Sequence, residues 1–592
     1  MPRNIFLVLL LVLVAAAGWL GCGGASSNSK TASADDEASP ADDDDDDNDD
    51  QSPSDDDASP ADDDDDASPT RHLLPGPDEP GYDAALEAKA TRYDRGFQNF
   101  NAYGLLINAD VVVPLDAPAN RRLVQDFLQT TDSWDFQAWS GKDPEEIISD
   151  NQATAGLYAG SGIAADAFRY GVMRDQGYPQ EDVDRARQFV LRGMEGLRIA
   201  VEITGVKGVI ARGYLRKDIP GAGATTPVTP LFDDQDNPLP PVKTNGTWRA
   251  DNSPDHKYPN YIWTDGCSRD MLLGWAAAFG GVWEAIKDDP TFDPELKALH
   301  QQYASDVAHN LMTVKPDGYD LEIGDADGRT TINGLLNENA WDTIYLPWLG
   351  IKDGGYTLMS LGIISALAYA SEDPEVVDYL YQTLLGPRRF QDITYHNIIG
   401  INLWWETNYG DINMAFQGML LAQRYIDDEE TIAKLRHTLA YKLYDYPPDA
   451  TRMPKQFSYS LFDFAYAAGV ADMSAYHPAK HAPDEDAMQR GVETLKEFPD
   501  APYWEVPVTN CSPQAIQNKA CELMDGTWVT VLGYVGRDNE LITLQPFPQR
   551  DRPPSNYHWR TNPFDPNGGG DGSRLLPAVD WRWAYWYARW AK

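Results

Sequence analysis

The sequence predicts an all-α fold of about six helical hairpins closed into a ring, with long loops on one face and a small β-hairpin near the C-terminus. Three observations carry this expectation. Apolar residues recur at helical spacing from Leu73 onward, the helical stretches come in pairs across short turns, and long loops rich in Trp, Tyr, Asn, Asp and Arg separate one pair from the next. Short turns at one end and long loops at the other leave a single face for chemistry.

The pairs follow in order along the chain. Ala84 to Tyr103 with Arg121 to Thr130 begins the series. Gln152 to Arg174 places Leu157, Ile163, Ala164, Ala167 and Phe168 on one face, and Gly156 and Gly160 permit close approach of a neighbour. Across Gly177-Tyr178-Pro179, Asp182 to Glu202 continues with Val183, Ala186, Phe189, Val190, Met194 and Leu197 at the same spacing. Ser268 to Ile286 pairs with Pro294 to Met312, Tyr356 to Ala370 with Pro374 to Leu385, Asp411 to Tyr425 with Glu429 to Leu443, and Phe457 to Ala468 with Asp484 to Phe498. Trp528 to Val535 and Glu540 to Leu544, separated by Gly536-Arg537-Asp538-Asn539, read as a hairpin that covers the ring.

The N-terminal stretch is of another kind. Met1 to Gly21 carries Arg3 and then the apolar run Ile5 to Ala17, the form of a secretory signal. Cys22 follows directly, and Trp19 to Cys22 resembles a bacterial lipoprotein lipobox, which implies lipidation at Cys22. Within residues 22–72, Ala25 to Thr70 is mostly Ser, Ala, Pro and Asp, with ASPADDDD repeated at Ala38 and Ala58. Dense like charge and little apolar surface predict a disordered, extended spacer between membrane and domain. The domain itself is expected over residues 73–592. These features imply a protein tethered to the bacterial cell envelope by lipid alone.

The chain carries 48 Lys and Arg against 92 Asp and Glu, a net charge of -44, and nineteen of those acids lie between Asp35 and Asp66. The rest is still strongly acidic, which disfavours nucleic acid and anionic headgroups as partners. Of the four cysteines, Cys511 and Cys521 lie close together in one loop of an exported chain and are expected to form a disulfide, with two unpaired thiols as the alternative. Cys267 reads as a small buried residue, and no Cys/His spacing suits zinc. Asp325-Ala-Asp327 hints at a calcium loop, but Arg329 and Leu336 occupy ligand positions, so neither metal nor cofactor is expected.

Four loops hold the candidate chemistry: Gly208 to Asp270, Asp317 to Tyr356, Tyr395 to Asn413 and Asn556 to Asp580. Their composition suits sugars, whose C–H faces stack on aromatic rings while hydroxyls bond to carboxylates, amides and guanidinium groups. Glycoside hydrolysis needs two carboxyl groups across the scissile bond, one protonated and one ionised. Asp265 or Asp270 from one loop and Glu406 or Asp411 from another supply such a pair. Helix capping competes for Asp265, Ser268 and Asp411, and Asp270 in a first turn offsets the helix dipole. Glu406, among Trp404, Trp405 and Asn408, is a poor cap and the preferred acid. Arg212, Trp263, Arg269, His396, Trp405, Asn408, Trp559 and Arg560 are the expected substrate-binding residues.

With GVIARGY at Gly208 to Tyr214 after a second helix, and aromatic-acid loops before the next inner helices, the chain resembles the α/α-toroid carbohydrate-active enzymes. The resemblance covers most of Ala84 to Lys592. It implies action on a glycan, first as a glycoside hydrolase. A noncatalytic glycan- or protein-binding surface protein is the alternative. A polysaccharide lyase using Tyr395 or His396 with Arg212 and Asn402 is the second.

Overall fold

In the computed structural model the described residues are 72–592 apart from 103–109, 153–154, 219–225, 341–351, 399–406, 446–451, 471–483, 536–538 and 591–592. The signal segment, Cys22, the acidic spacer, Asn402, Trp404, Trp405 and Glu406 lie outside them. So do Gly536, Arg537 and Asp538 of the expected β-turn.

The fold is mainly helical, with a few small sheets. Helix α1 (Ala84–Gly96) starts at Asp83, whose side chain accepts the backbone N–H groups of Ala85 and Leu86, and α2 (Pro118–Thr130) follows. Helix α3 (Ala155–Asp175) turns into α4 (Gln180–Glu202) through Gly177, which holds φ at 72°. The next pairs are α5 (Arg269–Ile286) with α6 (Pro294–Met312), and α7 (Gly354–Ser371) with α8 (Pro374–Asp378), which runs on as a π-helical turn through Leu384. A short α9 (Phe390–Asn397) precedes α10 (Tyr409–Tyr425) with α11 (Glu429–Thr438), α12 (Ser460–Val470) with α13 (Ala487–Glu497), and finally α14 (Val579–Trp590). Asp293, Asp373 and Asp428 each accept a backbone N–H at the start of α6, α8 and α11, the capping that makes these turns legible in sequence.

Two kinds of helix alternate. Helices α5, α7 and α10 are buried on nearly every side, whereas α4 and α11 bury one face, so the first kind is interior and the second covers it. Packing runs from α3 to α5, α5 to α7, α7 to α10, α10 to α12, α12 to α14 and from α14 back to α3. Glycine sets how close these helices come. A Cβ on Gly160 would lie 2.1 Å from the Gly274 carbonyl oxygen, and one on Gly362 would lie 2.5 Å from that of Gly418. Gly160 and Gly274 stand at the same depth in α3 and α5, as Gly362 and Gly418 nearly do in α7 and α10. The interior helices therefore run parallel, with their N-termini at one end.

Helix α14 is not among the helices expected from the sequence, where the last loop ends at Asp580, at the helix's start. Its run of Trp, Tyr, Arg and Ala lacks an aliphatic stripe, yet it is buried throughout: Arg582 pairs with Asp94 of α1 at 2.7 Å and Asp166 of α3 at 2.5 Å, and Arg589 pairs with Glu87 at 2.7 Å. Helix α1 touches both α2 and α14, so the last helix joins the first.

The strands are short. β1 (Asp110–Val112) lies between β2 (Asp150–Gln152) and β13 (Arg574–Leu575). β5 (Tyr261–Thr264) lies between β3 (Gly213–Arg216) and β4 (Trp248–Ala250), with Trp263 opposite both Tyr214 and Arg249. β6 (Glu322–Gly324) pairs with β7 (Thr330–Leu335) and β8 (Val508–Thr509) with β12 (Asn567–Gly568). The C-terminal hairpin forms as β10 (Trp528–Val535) and β11 (Glu540–Thr543), and β9 (Ala520–Glu522) joins the other edge of β10. Cys511 and Cys521 are joined by a disulfide. Cys267 is buried, and burial pushes its thiol pKa well up.

Candidate functional site

The chain leaves β5 at Thr264 and enters α5 at Arg269, and these few residues separate two unlike environments. Asp265 is 1% exposed. One carboxylate oxygen accepts the Thr247 N–H at 2.7 Å, and the other accepts Arg249 Nε at 3.0 Å and Nη2 at 2.6 Å. Lys243 Nζ lies 3.5 Å from Asp265 and from Asp327 and closes on Asp325, which in turn accepts the Gly266 N–H at 2.7 Å. Arg329 holds Asp327 at 2.7 Å. Three carboxylates thus meet three cations in the interior. Burial lifts Asp325 to about 6 against the pull of Lys243; at Asp327 burial works the same way, but the Arg329 hydrogen bonds win and hold it below the usual range. The loop whose spacing hints at calcium is this ion cluster, with Lys243 and the arginines neutralising the carboxylates.

Asp270 lies one turn further on, at the mouth of the interior helices. Its side chain is 13% exposed. Ser268 occupies the cap position of α5, but its hydroxyl donates to Asp270 Oδ1 at 2.5 Å rather than accepting from the helix. Arg212 Nη1 donates to Ser268 Oγ at 2.8 Å and to the Gly266 carbonyl at 3.1 Å. Arg560 Nη2 stands 3.4 Å from Asp270 Oδ2, a looser pair than a charge-assisted hydrogen bond makes, and Arg560 Nη1 donates to the Tyr158 hydroxyl at 3.2 Å. A Cβ on Gly410 would lie 3.8 Å from Arg560 Nε. Tyr158 belongs to α3, Asp270 to α5 and Gly410 to α10, while Arg560 comes from the loop before α14. Its side chain remains 36% exposed. Three helices far apart in sequence therefore converge, at their N-terminal ends, on the one guanidinium that this loop supplies.

Two more carboxylates stand at the same end. Asp353 caps α7, accepting the Tyr356 N–H at 2.8 Å, and burial lifts its pKa to about 6 although that N–H and the Arg269 guanidinium oppose the rise; the charge of Asp411 adds to it. Asp411 sits half-buried in the first turn of α10, whose cap is Asn408, accepting the Gly410 N–H at 3.1 Å. Arg269 lies over the Tyr356 ring at 4.2 Å, and its buried Nε has no hydrogen-bond acceptor among the described residues. Beneath them Gln417 Nε2 donates to the Tyr557 hydroxyl at 2.5 Å and to Asn413 Oδ1 at 3.2 Å.

The remaining expected residues divide. Trp263 and Trp559 are core: the Trp263 indole N–H donates to the Ala250 carbonyl at 2.8 Å, and Trp559 packs edge-on against Tyr557 at 5.2 Å, so neither ring offers a face to a sugar. His396 is exposed at the end of α9, next to Tyr395, which stacks on His437. Tyr158 and Asp353 are not among the residues expected at the site, and Tyr557 lies in a candidate loop without an expected role. Only Asp353 had a signal, as an acid directly before Gly354-Gly355 and an apolar run.

Volume alone points elsewhere. A hollow of about 640 Å³ opens at the C-terminal ends of α3, α5 and α7, near Tyr170, Lys287, Tyr369 and Trp590. Charged groups there are already engaged, Arg174 with Asp175 at 2.6 Å and Glu284 with Arg424 at 2.7 Å. The mouth around Arg560 instead gathers Asp270, Tyr158 and a part-exposed guanidinium at the ends of several interior helices, and it is the candidate site.

No protein-family model matches the chain, and no curated protein matches it. Among solved structures, the crystal structure of a sugar epimerase from a ruminal bacterium aligns over 76% of this chain and 91% of its own, at 14% identity and a TM-score of 0.33. That likeness is too distant to bring a function with it.

Proposed function

We propose that this chain is an exported, lipid-anchored glycoside hydrolase of the α/α-toroid kind, acting on a neutral glycan at the N-terminal mouth of its interior helices. The circuit of helix packing that returns from α14 to α3 supports the toroid. The observation that carries the function is the convergence of Asp270, Arg560 and Tyr158 at that mouth, with Asp353 and Asp411 close to one another beside it. Cations and acids alternate there, which suits hydroxyl groups of a neutral sugar better than a chain of like charge. Asp270 is the carboxylate that activates water or attacks the anomeric carbon, and Glu406 or Asp411 protonates the leaving oxygen. Asp265 has no place in this scheme, because its oxygens are taken by Arg249 and the Thr247 N–H.

The test is turnover on a panel of neutral polysaccharides and oligosaccharides with the wild-type chain, Asp270→Asn and Glu406→Gln. Each variant is expected to lose about 100-fold or more in kcat while still binding. Binding without turnover by the wild type would leave a glycan-binding surface protein instead, and an unsaturated product would mark a lyase. For the anchor, Cys22→Ala is expected to move the protein from the membrane fraction to the soluble one.

A further inference from the structure

The segment Gly208 to Tyr214 is held by backbone hydrogen bonds around Arg212. Ala211 donates its N–H to the Ala200 carbonyl at 2.9 Å and accepts the Trp275 indole N–H at 3.1 Å, which ties the segment to α4 and α5. The Arg212 N–H donates to the Thr264 carbonyl at 2.9 Å, and the Arg212 carbonyl accepts the Gly156 N–H at 3.0 Å. Sheet, α3, α4 and α5 together thus set this arginine in place beside the loop that carries Asp270. Ser268, on that loop, forgoes a helix cap. Its carbonyl accepts the Leu272 N–H at 2.9 Å as an N-cap residue's does, yet its side chain makes no hydrogen bond to α5, whereas Asp353 and Asn408 at the same position of α7 and α10 each cap their helix.

Donor and acceptor roles at Ser268 follow from what each group can do. A guanidinium only donates, so the contact of Arg212 Nη1 with Ser268 Oγ at 2.8 Å makes Oγ the acceptor. The single hydroxyl proton of Ser268 is left for Asp270 Oδ1 at 2.5 Å. A protonated Asp270 fits worse. A proton on Oδ1 would leave the buried serine hydroxyl without an acceptor among the described residues, and one on Oδ2 would face the Arg560 guanidinium at 3.4 Å, which is itself a donor. Oδ1 is therefore anchored, and Oδ2, toward the part-exposed Arg560, is the oxygen left for chemistry. We propose that Arg212 and Ser268 are positioning residues for Asp270: Arg212 turns the Ser268 hydroxyl, and that hydroxyl holds Oδ1 so that Oδ2 faces the substrate. Arg212 acts through Ser268 and does not touch the sugar, and the segment Gly208 to Tyr214 is its support. The inference rests on the reading of Asp270 as base or nucleophile.

The experiment is a double-mutant cycle on the full chain, with the neutral oligosaccharide that wild type hydrolyses best. Ser268→Ala and Arg212→Met should each lower kcat about five-fold, the worth of one hydrogen bond, with KM unchanged. Because the two residues act in series, the double variant should also stand about five-fold below wild type, where independent effects would multiply to about twenty-five-fold. Ser268→Thr, which keeps a hydroxyl, should retain most of the rate. Losses that multiply overturn the relay. So does a rise in KM in Arg212→Met that persists when Ser268 is alanine, the mark of an arginine that binds the sugar itself. If Arg212→Met does not fold, the serine pair decides: a threonine variant as slow as the alanine one overturns the relay. Failure of the hydrolase reading is separate. Should wild type turn over no glycan, the chemistry is lost, and the same cycle in urea midpoints judges the relay: coupled shifts keep it and additive shifts end it.

Discussion

Asp265 and Asp270 leave the same small sheet on the same loop, and the fold puts them to opposite uses. Asp265 points back under the β5 sheet, where Arg249, itself 1% exposed, and Lys243 neutralise it. Asp270 points forward to the mouth, where its partner Arg560 is loosely held and open to solvent. The difference teaches that residue type and spacing do not decide between structure and chemistry at this loop. What decides is whether the opposing cation is buried with the carboxylate or left reachable.

That contrast is best broken at its closed end first. Asp265→Ala leaves the Arg249 guanidinium buried without its carboxylate, and is expected to cost about 3–5 kcal/mol of stability by chemical denaturation. If instead the variant keeps wild-type stability, Asp265 is not the keystone of that cluster.

Asp353 tests an intermediate case. Its folded pKa, about 6, stands above the ordinary 3.8, so between those values the folded chain binds more protons than the unfolded one. Its contribution to stability is therefore present in full at low pH and lost as pH rises from about 4 through 6. Asp353→Asn keeps the cap and removes the titration. Relative to wild type the variant should gain up to about 3 kcal/mol between pH 4 and pH 7 in denaturant titrations. A pH-independent difference would count against the buried acid.

At the open end the expected effects on stability are smallest. Asp270→Asn should lower kcat about 100-fold, equivalent to roughly 2.7 kcal/mol in the barrier, while moving stability by less than about 1 kcal/mol, the range of a solvent-accessible ion pair. Ser268→Ala, which removes one hydrogen bond to Asp270, should cost about 1 kcal/mol or less and a few-fold in kcat. Should Asp270→Asn unfold the chain as Asp265→Ala does, the two ends of the loop are not different in kind.

Much of the scaffold was legible. Helical periodicity and acids before Pro or Glu gave the pairs α3 with α4, α5 with α6, α7 with α8 and α10 with α11, because local backbone preferences and caps act within a few residues. Alternation gave β10 and β11 in the same way. The β3–β5–β4 sheet was not read, since strands of three and four residues are too short to show a period. Helix α14 was hidden because its interior is built from tryptophans and paired arginines, and arginine signals an interior only once Asp94 and Asp166 are known to face it.

The sequence by itself determined the helix pairs, the acidity of the chain and the small set of loops that hold its polar and aromatic residues, all properties written in neighbouring side chains. Only the tertiary structure decided which of those residues meet. Trp263 and Trp559 went to the core, Asp265 to a buried ion cluster, and Asp270, Arg560 and Tyr158 to one mouth. The physical reason is that a carboxylate's role depends on the charge and solvent around it, and those come from segments hundreds of residues away.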